Sequence, residues 1–180
     1  MYGRKKDMIE HTNKAMRSFF GARTDGQDRP QGVNTPRLII DAILKIWPEG
    51  IELDPCANAT SIVPARKKLY IPDIPGINGL TESWPDFTYA NPPYKTIKEW
   101  LRMCETGREH IMLAPVRTNR EWWCKSASRA RIICWLRPFA FLGHDQPFPA
   151  SLAMLYYGLR IDKFKGAFRH LGTIGIFEIK

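Results

Sequence analysis

Phe87 to Pro115 reads FTYANPPYKTIKEWLRMCETGREHIMLAP, and its alternation of element types decides the fold. Phe87-Thr88-Tyr89-Ala90 is rich in β-branched and aromatic residues, which predicts a strand. Thr96 to Thr106 carries Ile97, Trp100, Leu101 and Cys104 on one face of a helix. His110-Ile111-Met112-Leu113-Ala114-Pro115 reads as a buried strand. Strands alternating with helices imply a largely parallel sheet covered on both faces.

The same alternation continues on both sides. Upstream, Thr35 would cap a helix through its hydroxyl and Pro36 would take the first helical position. Leu38, Ile39, Ala42, Ile43 and Ile46 follow as its apolar stripe. Gly50 to Asp54 predicts a strand ending in an acid, with a turn over Pro55-Cys56-Ala57-Asn58. Lys68 to Ile71 predicts another strand, and Pro72 to Gly79 a broken loop. Downstream, Asn119 would cap a helix running to Ser128. Arg131–Leu136, Ser151–Leu159 and Thr173–Ile179 read as strands. The last third shows no clear helix, which predicts an antiparallel hairpin at one edge. The expected fold is α/β: a mostly parallel, doubly wound, Rossmann-like sheet with an antiparallel C-terminal hairpin.

The 180 residues suit one domain, expected over 35–180, behind a basic, partly flexible arm over 1–34. Hydrophobic residues at 44% and charged residues at 25% exclude disorder throughout. No apolar run reaches the roughly 20 residues of a membrane helix, so no membrane partner and a cytoplasmic location are expected. The net charge is +9, and it is uneven: +4 over residues 1–46, −3 over 47–90 and +8 over 91–180. A basic shell around an acidic segment suits a polyanionic partner and an enclosed neutral or cationic small molecule. Cys56, Cys104, Cys124 and Cys134 are scattered, as are His11, His110, His144 and His170. Neither a metal site nor a disulfide framework is expected.

Ligands of such sheets sit beyond the carboxyl ends of the strands, where the strand order reverses. Two strand ends carry unusual sequences, Asp54-Pro55-Cys56-Ala57 and Asn91-Pro92-Pro93-Tyr94. Two prolines in a row stiffen the exit from a strand and donate no hydrogen bonds. Carbonyl oxygens are then free beside the Asn91 side-chain oxygen, and together they can accept both hydrogens of a planar amino group. An aromatic amine is a poor nucleophile because its lone pair is delocalised into the ring. Paired acceptors favour the tetrahedral nitrogen and restore the lone pair, a stabilisation by preset dipoles. Tyr94 can stack on the ring that bears the amine.

Here the chain resembles the phage-type, Dam-like DNA N6-adenine methyltransferases. The resemblance runs from about Val33 to near the C-terminus and rests on an ordered set: Asn34-Thr35-Pro36, Leu53 to Ala57, Gly79-Leu80 with Trp84, Tyr89 to Tyr94, Trp100, Leu113 to Thr118, and Arg137 to Phe141 before Pro149-Ala150-Ser151. It implies a class I methyltransferase fold, S-adenosylmethionine as methyl donor, and an adenine flipped out of DNA as acceptor. It further implies that Asn91 and the Pro92 carbonyl hold the amine, Pro93 shapes the loop, and Tyr94 stacks on the base. Thr35 and Pro36, with Asp54, Pro55, Cys56 and Ala57, would bind the donor. A bacterial cytoplasm and a phage or prophage origin are implied with them.

Two departures stand out. Ala57-Asn58-Ala59 occupies the place of the Gly-rich turn of the broader class, and Asn78 precedes Gly79-Leu80 where relatives often have an acid. Asp73 or Glu52 would then supply the donor's ribose or adenine contact. Arg117, Thr118 and Arg120 are candidate phosphate contacts, and Phe139 to Ser151 a loop that approaches DNA. His144 reads as a loop residue, not a base. Without room for a separate target-recognition domain, a short recognition sequence or a homodimer is expected. Two other readings stay open: a methyltransferase acting on glutamine amides in proteins, and an inactive phage protein that binds DNA.

Overall fold

The computed structural model describes residues 33–70 and 79–177. The expected arm except Val33 and Asn34, the Pro72–Asn78 part of the loop with Asp73, and the end of the last expected strand lie outside them. Seven strands form one sheet: β1 (Ile51–Ala57), β2 (Ala65–Tyr70), β3 (Thr88–Ala90), β4 (His110–Pro115), β5 (Ile132–Leu136), β6 (Leu152–Tyr156) and β7 (Gly172–Ile176). Among the described residues four α-helices accompany them: α1 (Arg37–Ile46), α2 (Ile97–Glu105), α3 (Glu121–Lys125) and α4 (Ile161–Phe168). The strand order is β2-β1-β3-β4-β6-β5-β7.

The sheet has two halves. β2, β1, β3 and β4 are parallel neighbours, whereas β6 is antiparallel to both β4 and β5, and β7 is antiparallel to β5. The antiparallel part is therefore larger than the single hairpin expected. It also contains α4, which the sequence reading missed although Ile161, Phe164 and Phe168 have helical spacing.

Alternation along each strand feeds two cores. Ile111 and Leu113 join Ile132, Cys134, Met154 and Tyr156 on the face covered by α1 and α4. Met112 and Ala114 join Ile133, Ala153 and Leu155 on the face covered by α2 and α3. Burial on both faces explains why β4 reads as an unbroken apolar run. Ile39, Ile40, Ile43 and Ile46 of α1 are fully buried, each contributing about 1.5–3 kcal/mol. Leu38, expected in that stripe, is exposed.

Several boundaries shift for identifiable reasons. Pro36, not Thr35, stands at the cap position of α1, and the Thr35 hydroxyl is spent elsewhere. β3 begins at Thr88 because Phe87 takes a left-handed φ of 63°. Its ring is held there edge-on to Trp47 and under the Arg160 guanidinium. Asn119 does not cap a helix; α3 begins at Glu121 after a turn closed from Arg120 N–H to the Arg117 carbonyl. β1 runs on through Asp54, Pro55 and Cys56 to Ala57, with an irregular register between Asp54 and Ala57.

Candidate functional site

The order β2-β1-β3 puts a reversal between β1 and β3, because the chain fills one side of β1 before returning to the other. The carboxyl ends of those two strands are Asp54–Ala57 and Ala90–Asn91, the two segments the sequence marks. A crevice at this place is where α/β sheets bind ligands.

Three segments distant in sequence meet there. Asn91 Nδ2 donates to the Val33 carbonyl at 3.0 Å and to Thr35 Oγ1 at 3.4 Å. Thr35 Oγ1 shares a 2.8 Å hydrogen bond with the Tyr89 hydroxyl. Asn34 Oδ1 accepts from Asn58 Nδ2 at 2.8 Å, and Asn34 Nδ2 donates to Thr60 Oγ1 at 2.8 Å. The Asn34-Thr35-Pro36 segment thus ties the turn after β1 to the exit of β3. Asn58 also accepts from the Thr60 N–H at 2.9 Å, so an asparagine closes this turn.

The consequence for Asn91 is specific. Both partners of its amide nitrogen, the Val33 carbonyl and Thr35 Oγ1, are acceptors, which fixes the orientation of the group. Among the described residues its Oδ1 is then buried with no hydrogen-bond partner. Buried side-chain oxygens are rarely left so, and each orphan calls for an explanation. The Tyr94 hydroxyl is a second such orphan. Among the described residues no hydrogen bond falls on the Pro92 carbonyl, whereas the Pro93 carbonyl takes the Thr96 N–H at 3.2 Å. Pro92 is buried, and Pro93 is half-buried where the backbone turns toward α2.

Tyr94 lies half-buried, its ring edge-on to Phe148 with centroids 6.0 Å apart. Phe148 in turn packs on Phe141. The loop 137–151 between β5 and β6 therefore walls the site on the Tyr94 side. Burial raises the Tyr94 hydroxyl well above the ordinary phenol range, so it stays a donor.

Asp54 is buried at 4% exposure in the middle of β1. Its Oδ1 accepts from the Cys56 N–H at 3.2 Å and its Oδ2 from the Ser61 hydroxyl at 3.3 Å. Burial pushes its carboxyl up to about 6, against the opposing pull of these hydrogen bonds and of Lys68. A carboxylate has roughly four acceptor positions. With these two bonds and one from the Cys56 thiol, capacity remains for one further donor, and a cation there would draw the carboxyl back down. The Cys56 thiol lies against the Asn91 backbone, and burial raises it as well.

Gly79 completes the floor. A Cβ on it would stand 2.0 Å from the Pro55 carbonyl oxygen, so only glycine fits. Its own carbonyl accepts from Trp84 Nε1 at 2.6 Å. The structure thus brings together Thr35, Asp54, Pro55, Cys56, Asn91 and Tyr94, with Ala57 at the end of β1 and Pro36 buried at the head of α1.

Glu52 makes a 2.7 Å ion pair with Arg66. Arg117, Thr118 and Arg120 are exposed beyond the end of β4. Two contributors escaped the sequence reading, Tyr89 and Ser61. The first had a signal, since Tyr89 and Asn91 are two apart on an extended segment and share a side. Among the described residues no three His, Cys, Asp or Glu side chains gather, and no helix is long and apolar enough to cross a membrane. Family models, curated proteins and solved structures give no match to this chain.

Proposed function

We propose that this chain transfers a methyl group from S-adenosylmethionine to the N6 amine of adenine in DNA, on a class I methyltransferase fold. The observation that carries this reading is the orphaned Asn91 Oδ1, held in place by the contacts of its own amide nitrogen. An oxygen fixed in this way needs no reorganisation when a donor arrives, which is the condition for strong transition-state stabilisation.

The amine's two hydrogens would be accepted by Asn91 Oδ1 and the Pro92 carbonyl. Those contacts strengthen as the nitrogen becomes tetrahedral and its hydrogens more acidic. Tyr94 positions the ring, and the loop carrying Phe148 excludes water from its side. Asp54 would hold the ammonium of the donor's methionine end with its remaining acceptor capacity. When bound, S-adenosylmethionine supplies a methyl carbon on a cationic sulfur, which the amine nitrogen takes as the sulfur–carbon electrons return to sulfur. The methylated nitrogen then sheds a proton to water; no side-chain base is required. Support for adenine in DNA comes from the net charge of +9 and the resemblance of the ordered motifs.

Expression in cells that lack adenine methylation, followed by sequencing of modified bases, tests the reading. N6-methyladenine in the DNA is the expected result. Tritium passing from the donor to protein and not to DNA would overturn it in favour of a glutamine amide acceptor. DNA binding with neither donor binding nor transfer would leave an inactive DNA-binding protein.

A further inference from the structure

The loops that leave β3, β4 and β5 all open on the same edge of the sheet, because these three strands run in one direction. They carry Lys95, Arg117, Arg120 and Arg137, against a single carboxylate, Asp145. All four cations are exposed, and among the described residues none enters an ion pair. The loops at the opposite edge are balanced. Glu49, Asp86 and Glu109 there are matched in number by Arg108, Arg131 and Arg160, and Arg160 is clamped onto Glu49 by two hydrogen bonds of 2.8 and 2.9 Å.

We infer that Lys95, Arg117, Arg120 and Arg137 form a track for the phosphodiesters of one DNA strand, laid across the carboxyl ends of the strands. The inference rests on the proposed action on DNA and adds where, and along which axis, the nucleic acid lies. β3 and β5 are three strand spacings apart, since β4 and β6 intervene. At about 4.8 Å per spacing this is about 14 Å. Lys95 follows Tyr94 directly, which sets one end of the track at the amine-binding pocket. Arg137 sets the other end, where it lines a cavity of about 370 Å³ with Phe139 and Phe148. Cations left unpaired in water lose little on meeting phosphate and release its counterions, whereas Arg160 would first have to leave Glu49.

Two variants with equal loss of charge test this on the full chain. One carries Lys95→Gln, Arg117→Gln, Arg120→Gln and Arg137→Gln. The other carries Lys45→Gln, Arg108→Gln, Arg131→Gln and Lys163→Gln, all exposed and toward the opposite edge. Duplex DNA binding is measured as a function of salt, with thermal unfolding as the check on folding. The first variant is expected to flatten the slope of log K against log salt by about 3–4, and the second by less than about 1. Equal flattening in both, or none in the first, overturns the track even where the wild type still methylates DNA. A polyglutamate peptide bound as tightly and with the same slope overturns the assignment to phosphodiesters. Absence of any salt-dependent DNA binding by the wild type overturns the track and the DNA reading together.

Discussion

Glu109 and Asn91 are both held at the ends of neighbouring parallel strands, at opposite edges of the sheet, and they are treated in opposite ways. Glu109, just before β4, is buried, and its carboxylate takes the Trp47 indole N–H at 3.0 Å, the Tyr156 hydroxyl at 2.5 Å and the Leu159 N–H at 3.0 Å. Asn91, just after β3, has its nitrogen bonded and its oxygen orphaned. The amino edge spends its polar groups on each other. The carboxyl edge keeps acceptors and cations in reserve. Satisfied buried groups pin a fold, and an unsatisfied one calls for an explanation, of which a ligand that completes it is one.

Four changes would break or sharpen that contrast. Asn91→Ala carries the largest expected effect: a loss of about 10²–10³ in single-turnover methyl transfer, with donor and DNA binding nearly unchanged. Wild-type turnover in that variant would remove the asparagine from the mechanism. Glu109→Ala acts on the other edge and on stability alone, because it strands three buried donors. A loss of about 3–5 kcal/mol is expected, readable as a fall of about 10 °C or more in Tm, while an undiminished Tm would show the network to be dispensable.

Asp54→Asn sharpens the comparison through pH. The folded carboxyl sits at about 6, above its ordinary 3.8, so the folded state binds more protons between those values. Stability from this group is therefore greatest at acid pH and falls as pH rises through about 4 to 6. Ionised Asp54 costs the ligand-free protein up to about 3 kcal/mol at neutral pH. The Asn variant should be more stable than wild type at pH 7, equal to it near pH 4, and unable to bind the donor. Denaturant titrations at the two pH values, with donor calorimetry, check all three outcomes. Gly79→Ala is the smallest change. Its Cβ would collide with the Pro55 carbonyl, so about 1–3 kcal/mol of stability should be lost together with donor affinity. A variant with unaltered donor affinity would place Gly79 outside the site.

Legibility in the sequence followed the range of the interactions involved. β4 could be read to the residue, since a strand buried on both faces is apolar along nearly its whole length, here from Ile111 to Pro115. α2 was read to within a residue because Ile97, Trp100, Leu101 and Cys104 are all buried on one side. α4 was missed because a Gly166 and three charged residues dilute a short stripe. Thr35 illustrates the opposite case. Its local pattern suggests a helix cap, but a tyrosine hydroxyl 54 positions away takes the bond instead. The glycine-free turn at Asn58 reads as a departure until Asn34 is seen to bond it.

Local chemistry by itself determined the stiff Asn-Pro-Pro-Tyr exit and the alternation that builds an α/β sheet, because each depends on neighbours a few residues apart. Tertiary structure alone decided that β6 inserts between β4 and β5, that Val33 and Thr35 orient the Asn91 amide, and that four scattered cations share one edge. Those outcomes depend on strand order and direction, and no window of sequence contains both partners of such a contact.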